Sequence, residues 1–210
     1  MATPIRSNDL ILFQGDSITD GGRCGTGDGL GNGYVAMVRA MLTARNPSLR
    51  VRVANRGVGG DRTVELLARW RADCLDLRPQ VLSIKIGVND VWRLRGEWMG
   101  QKFVPFADYC ANYEKLVAQA REAGVRTLAL VSPTTIAEEN DSALAAHLDE
   151  RAAFVRKLAR RTGAVYVPAR ETLLRALKTQ PGVRWTTDGC HPSQAGHALL
   201  AACWLQAMGL

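Results

Sequence analysis

Leu10-Ile11-Leu12-Phe13-Gln14-Gly15-Asp16-Ser17-Ile18-Thr19 is the stretch on which the fold turns. Residues 10–14 form a short, nearly continuous apolar run, as expected for a strand covered on both faces in a parallel sheet. The run stops at Gly15, and the polar Asp16 and Ser17 begin the following turn or helix. Four further runs of the same kind lie at 51–55, 81–86, 127–131 and 165–167. Helical stretches are expected between them at 34–44, 63–71, 106–123 and 142–161, with a closing helix over 193–208. Gly124 and Gly163 stand where helix C-caps belong, just before the fourth and fifth strands. This alternation predicts an α/β protein, a flavodoxin-like three-layer α/β/α sandwich with about five parallel strands. No repeat, low-complexity tract or linker divides the chain, so residues 1–210 are expected to form one domain.

In such folds the sites lie at the carboxyl ends of the strands. Four polar or glycine-bearing clusters fall at or near such positions. After strand one, Ser17 in Gly15-Asp16-Ser17 is a candidate nucleophile, although Asp16 and Ser17 would equally serve as helix N-caps. After strand two comes Asn55-Arg56-Gly57-Val58-Gly59-Gly60-Asp61, where Gly60 can offer an unobstructed amide or simply make a turn. After strand three, Gly87-Val88-Asn89-Asp90 provides a neutral amide, Asn89, suited to an oxyanion, or an Asx turn. Ahead of the last helix, Asp188-Gly189-Cys190-His191 puts a carboxylate three residues before an imidazole. That spacing lets Asp188 hold Nδ1–H of His191 and leaves Nε2 free to accept a proton. Of the other two histidines, His147 falls in an expected helix and His197 is read as packing in the closing one.

Together these clusters resemble the four signature blocks of the SGNH (GDSL-type) hydrolases, in order and from Gly15 to His191. The resemblance implies a Ser17–His191–Asp188 triad and an oxyanion hole from the amides of Ser17 and Gly60 and the side chain of Asn89. It implies an acyl-enzyme mechanism without a metal or organic cofactor. The flanking text, including Gly33-Tyr34-Val35-Ala36 and Ile86-Gly87-Val88-Asn89-Asp90-Val91-Trp92-Arg93, is similar to intracellular bacterial SGNH esterases that remove acetyl groups from xylan-derived sugars. The expected substrate is therefore a small-molecule or oligosaccharide ester, and a homo-oligomer is allowed for. Asp16, Trp92 and Trp185 are candidate substrate contacts, with Trp98 a further possible wall. One departure stands out: Trp185 lies three residues before Asp188, whereas those esterases place tryptophan next to the aspartate. A lysophospholipase or acyl thioesterase of the same family is the alternative within this chemistry.

Other classes find less support. The net charge of +7 raises a basic nucleotide- or nucleic-acid-binding module as the non-enzyme alternative. The excess is mostly arginine dispersed along the chain, however, and the densest set (Arg151, Arg156, Lys157, Arg160, Arg161) reads as a solvated helix face, so no nucleic-acid partner is expected. The glycines between 21 and 33 never make G-x-G-x-x-G, and no phosphate-binding G-x-x-x-x-G-K-[ST] exists; a mobile loop bordering the site is the better reading. No G-x-S-x-G elbow occurs. Five scattered cysteines form no C-x-x-C pair, which fits free thiols in a reducing compartment. No apolar run reaches the roughly 18 residues of a membrane span, and residues 1–10 lack the pattern of a secretory leader. A cytoplasmic protein with no membrane partner is the expectation.

Overall fold

The structure, a computed structural model, describes residues 5–135 and 142–210. Five strands, β1 (Leu10–Gly15), β2 (Arg52–Asn55), β3 (Val81–Lys85), β4 (Thr127–Val131) and β5 (Val165–Val167), form one parallel sheet in the order β2-β1-β3-β4-β5. These are the five expected runs, with ends shifted by a residue at most. The helices are α1 (Ser17–Asp20), α2 (Tyr34–Arg45), α3 (Thr63–Ala68), α4 (Trp70–Asp73), α5 (Val88–Trp92), α6 (Phe106–Glu122), α7 (Ser142–Thr162), α8 (Ala169–Thr179) and α9 (Gln194–Ala207). No helix among the described residues is long and apolar enough to cross a membrane.

Alternate residues of each strand feed two cores, which explains why the strands read as continuous apolar runs. Ile11, Phe13, Val81, Ala129 and Val131 join residues of α2 and α9 in one. Leu12, Leu82, Ile84, Leu128 and Leu130 join Leu66 of α3, Trp70 of α4 and the apolar face of α6 in the other. Each fully buried Leu, Ile or Phe here contributes about 2 kcal/mol relative to exposure. Trp204 of α9 places its ring among these residues and donates Nε1–H to Ser83 Oγ at 3.1 Å, so its polar edge is satisfied inside the core.

Three differences from the sequence reading have physical causes. The stretch 63–71 is two short helices, broken at Arg69, whose guanidinium meets Asp61 and Asp73 and the carbonyls of Arg56 and Gly15. Helix α8 was not foreseen, although Pro168 at its N-cap and the spacing of Leu173, Ala176 and Leu177 mark it. Arg151 does not join a solvated face: it is fully buried, stacked on Phe103, Phe106 and Tyr109, and donates to the carbonyl of Val104 at 2.6 Å.

The strand order places β1 and β3 at the topological switch point, from which successive connections leave in opposite directions. Both expected site clusters that follow these two strands therefore open into the same crevice. The stretch 93–105, with no element assigned beforehand, crosses this edge as a one-turn helix (Arg93–Arg95) and an isolated bridge between Trp98 and Gln101. Its far end is tied down by Val104 N–H donating to Asp90 O at 3.0 Å.

Candidate active site

Residue Asp16 follows β1 directly and caps α1, its Oδ1 accepting Ile18 N–H at 3.0 Å. Ser17 is the first residue of that turn, where helix geometry supplies no acceptor for its amide. Asn55, at the end of β2, fastens this turn to the second cluster: its Nδ2 donates to the carbonyls of Thr19 (2.7 Å) and Leu30 (2.9 Å), and its Oδ1 accepts Gly57 N–H. A Cβ built on Gly59 would lie 3.9 Å from Ser17 Cβ, so the glycine turn runs beside the candidate nucleophile. Gly60 has φ of 82°, and a Cβ there would fall 2.3 Å from the Trp98 ring. Both conformation and space require glycine.

The last cluster is a closed turn. Thr187 N–H donates to His191 O at 2.8 Å, and Gly189 N–H donates to Thr186 Oγ1 at 2.9 Å. Asp188 Oδ1 accepts the amides of Cys190 (3.0 Å) and His191 (2.7 Å), which leaves Oδ2 for the imidazole Nδ1 at 2.7 Å. Burial alone would raise the Asp188 carboxyl, but the two amides and the imidazole outweigh it and hold it below its usual value. The Nε2 of the same ring lies 2.9 Å from Ser17 Oγ, joining residues 174 positions apart. In the tautomer that satisfies both contacts, Nδ1–H donates to Asp188 and Nε2 accepts from the serine hydroxyl.

These side chains open into a pocket of about 410 Å³ lined by Asp16, Ser17, Ile18, Gly59, Gly60, Val88, Asn89, Trp92, Arg93, Trp98, Cys190 and His191. Asn89 spends one amide hydrogen on Asp61 O at 3.0 Å, which fixes the side chain at the pocket wall. Of the candidate residues, Ser17, Asp16, Gly60, Asn89, Trp92, Trp98 and His191 come together here, with Asp188 behind His191. Trp185 does not. It is 8% exposed, packs with Leu173 and Ala176 of α8 and donates Nε1–H to Gln180 O at 3.2 Å, so its reading as a substrate contact is replaced by a core role.

None of the glycine-rich residues 21–33 lines the pocket either; Asn32 N–H donates to Gly21 O at 2.8 Å and Gly33 packs on the His197 ring. Cys190 lines the pocket but is buried, which pushes its thiol well above the usual range and leaves it a poor nucleophile. No group of three or more His, Cys, Asp or Glu among the described residues could hold a metal ion.

Sequence reasoning passed over Arg93. Its guanidinium donates to Gln101 Oε1 (3.0 and 2.7 Å) and Gly60 O (3.3 Å) and stacks on Trp98 at 5.1 Å. It thereby clamps the excursion 93–105 onto the glycine turn. The one signal in the sequence is its place three residues after the third cluster, at the end of the flanking stretch 86–93.

The sequence matches the GDSL-like lipase/acylhydrolase family over residues 13–199. It is 35% identical to an acetylxylan esterase of Geobacillus stearothermophilus over 98% of this chain and 96% of that one. The fold superposes on the crystal structure of that species' acetylxylan esterase Axe2 with a TM-score of 0.89, covering 99% and 97% of the two chains at 35% identity. It matches LAE5, an α/β hydrolase from the metagenome of Lake Arreo, with a TM-score of 0.90 at 32% identity, covering 99% and 98%. Catalytic mutants of Axe2 in which a serine, an aspartate or a histidine is replaced by alanine are among the similar solved structures. With this likeness extending over nearly its whole length, the chain belongs to the GDSL-like lipase/acylhydrolase family.

Proposed function

We propose that this ester hydrolase uses Ser17 as nucleophile, His191 as general base and Asp188 as the group that orients the imidazole, and that it removes O-acetyl groups from carbohydrates such as xylo-oligosaccharides. The observation that carries the reading is the unbroken chain Ser17 Oγ–His191 Nε2–His191 Nδ1–Asp188 Oδ2, at 2.9 and 2.7 Å. Ser17 Oγ attacks the ester carbonyl as its proton passes to His191. The tetrahedral oxygen is held by the amides of Ser17 and Gly60 and by the second amide hydrogen of Asn89. His191 returns the proton to the departing alcohol, and water repeats the sequence on the acyl-enzyme.

The substrate class draws on two supports. Trp92 and Trp98 line the pocket and give it aromatic walls suited to a sugar ring. The acetylxylan esterase relative acts, by its name, on acetylated xylan. A series of p-nitrophenyl esters and acetylated xylo-oligosaccharides tests the proposal. We expect kcat/KM highest for acetate and loss of acetyl groups from the oligosaccharide by mass spectrometry. Activity rising from acetate to octanoate, with the sugar ester untouched, would instead favour a lysophospholipase or acyl thioesterase.

A further inference from the structure

Strand β3 is apolar or small along its length until it ends in a cation. Lys85 is 1% exposed, and its ammonium makes no hydrogen bond among the described residues. Its register partner is Gly15 on β1, which puts it next to the turn that presents Ser17. The carboxylate that meets it is Asp16, with Nζ 3.9 Å from Oδ1, too far for a hydrogen bond but close enough for an ion pair. Asp16 is also 1% exposed, and its Oδ2 has no partner among the described residues.

Two buried charges with so few hydrogen bonds are costly, and apolar residues at both positions would fill the same space without that cost. Position 16 makes the charge useful. Asp16 lines the pocket, adjoins the nucleophile and cannot leave, because the same Oδ1 that meets Lys85 also caps α1. Alone, its negative charge would oppose the negative oxygen that develops on the substrate, and the opposition would be strong at this depth. A cation behind it removes that field and keeps the cap.

We propose that Lys85 is a positioning residue whose buried ammonium is the counter-charge to Asp16, keeping the nucleophile turn electrically neutral as the oxyanion forms. The proposal rests on the reading of Ser17 as nucleophile.

Other ionisable groups face this pair. Burial keeps Tyr34 and Cys190 protonated and pushes His197 down to about 4, so these three hold their charge state across neutral pH. Asp61, which feels the charge of Asp16, is paired with Arg69, while Asp188 and Arg95 act on Cys190 and His191 acts on His197. In Lys85→Met the charge of Asp16 would lack its counter-ion and act against the transition state.

The test compares the wild type, Lys85→Met and the Asp16→Asn/Lys85→Met double variant, in which asparagine retains the cap. kcat and KM for p-nitrophenyl acetate are measured from about pH 6 to 9, with thermal melts alongside. Lys85→Met should lose on the order of tenfold in kcat, with KM changed by less than about threefold. The double variant should recover most of that loss. A Lys85→Met profile of wild-type shape and height, or a double variant no better than the single one, overturns the proposal. Should Lys85→Met not fold, a folded and active double variant supports the coupling, and a folded but inactive one refutes it. Failure of the underlying reading is distinct: Ser17→Ala would then keep wild-type activity.

Discussion

Asn89 does two things with one amide. One hydrogen goes to the Asp61 carbonyl, and the other is available to the pocket. Its loss should therefore be felt in catalysis more than in substrate binding. Asn89→Ala is expected to lower kcat by about 10²- to 10³-fold with little change in KM, the usual effect of removing one oxyanion donor. It should also lower stability by about 1–3 kcal/mol, because the buried Asp61 carbonyl loses its partner. Steady-state kinetics with a thermal melt separates the two effects; unchanged kcat would remove Asn89 from the oxyanion hole. Gly60 is constrained differently, since its left-handed φ and the adjoining Trp98 ring leave no room for a side chain.

Helix α9 binds the two halves of the site through its capping residue and its single histidine. Ser193 Oγ accepts Gly196 N–H at 3.2 Å and starts the helix directly after His191. One turn on, His197 Nδ1 accepts Tyr34 N–H at 3.1 Å and so holds the start of α2. That bond requires a neutral ring, and burial pushes His197 from 6.5 down to about 4. An unfolded chain takes up this proton below about 6.5, whereas the folded chain refuses it until about 4. The stability from neutral His197 is thus whole above 6.5 and drains away as pH falls toward 4. Between pH 7 and 5 the loss is about 2 kcal/mol.

His197→Asn, whose side-chain oxygen can accept the same amide, should flatten that acid slope in urea unfolding. Equal slopes in the two proteins would contradict this. Asp90, which burial pushes up to about 6, titrates in both proteins and cancels from the difference.

Across the whole molecule, the strands and the site clusters could be read from sequence because both depend on local pattern. A strand covered on two faces must be apolar throughout, and the residues just past its end are the ones a switch point exposes. What could not be read depends on side-chain direction after folding. Trp185 is three residues from Asp188, yet the turn over 186–192 sends it into the core with α8. Arg151 lies in a basic run, but the excursion 93–105 lies over it and takes up its guanidinium. Lys85 sits in an apolar strand, and only the pairing of β1 with β3 brings it to Asp16.

The proposed catalysis requires that the sheet bring four distant segments together so that His191 can activate Ser17. Intact-mass analysis after reaction with a fluorophosphonate reports on that activation. One adduct per chain on Ser17, none on Ser17→Ala, and much slower labelling of a folded His191→Ala are expected. A folded wild type that stays unlabelled, or an adduct that persists in Ser17→Ala, would contradict it.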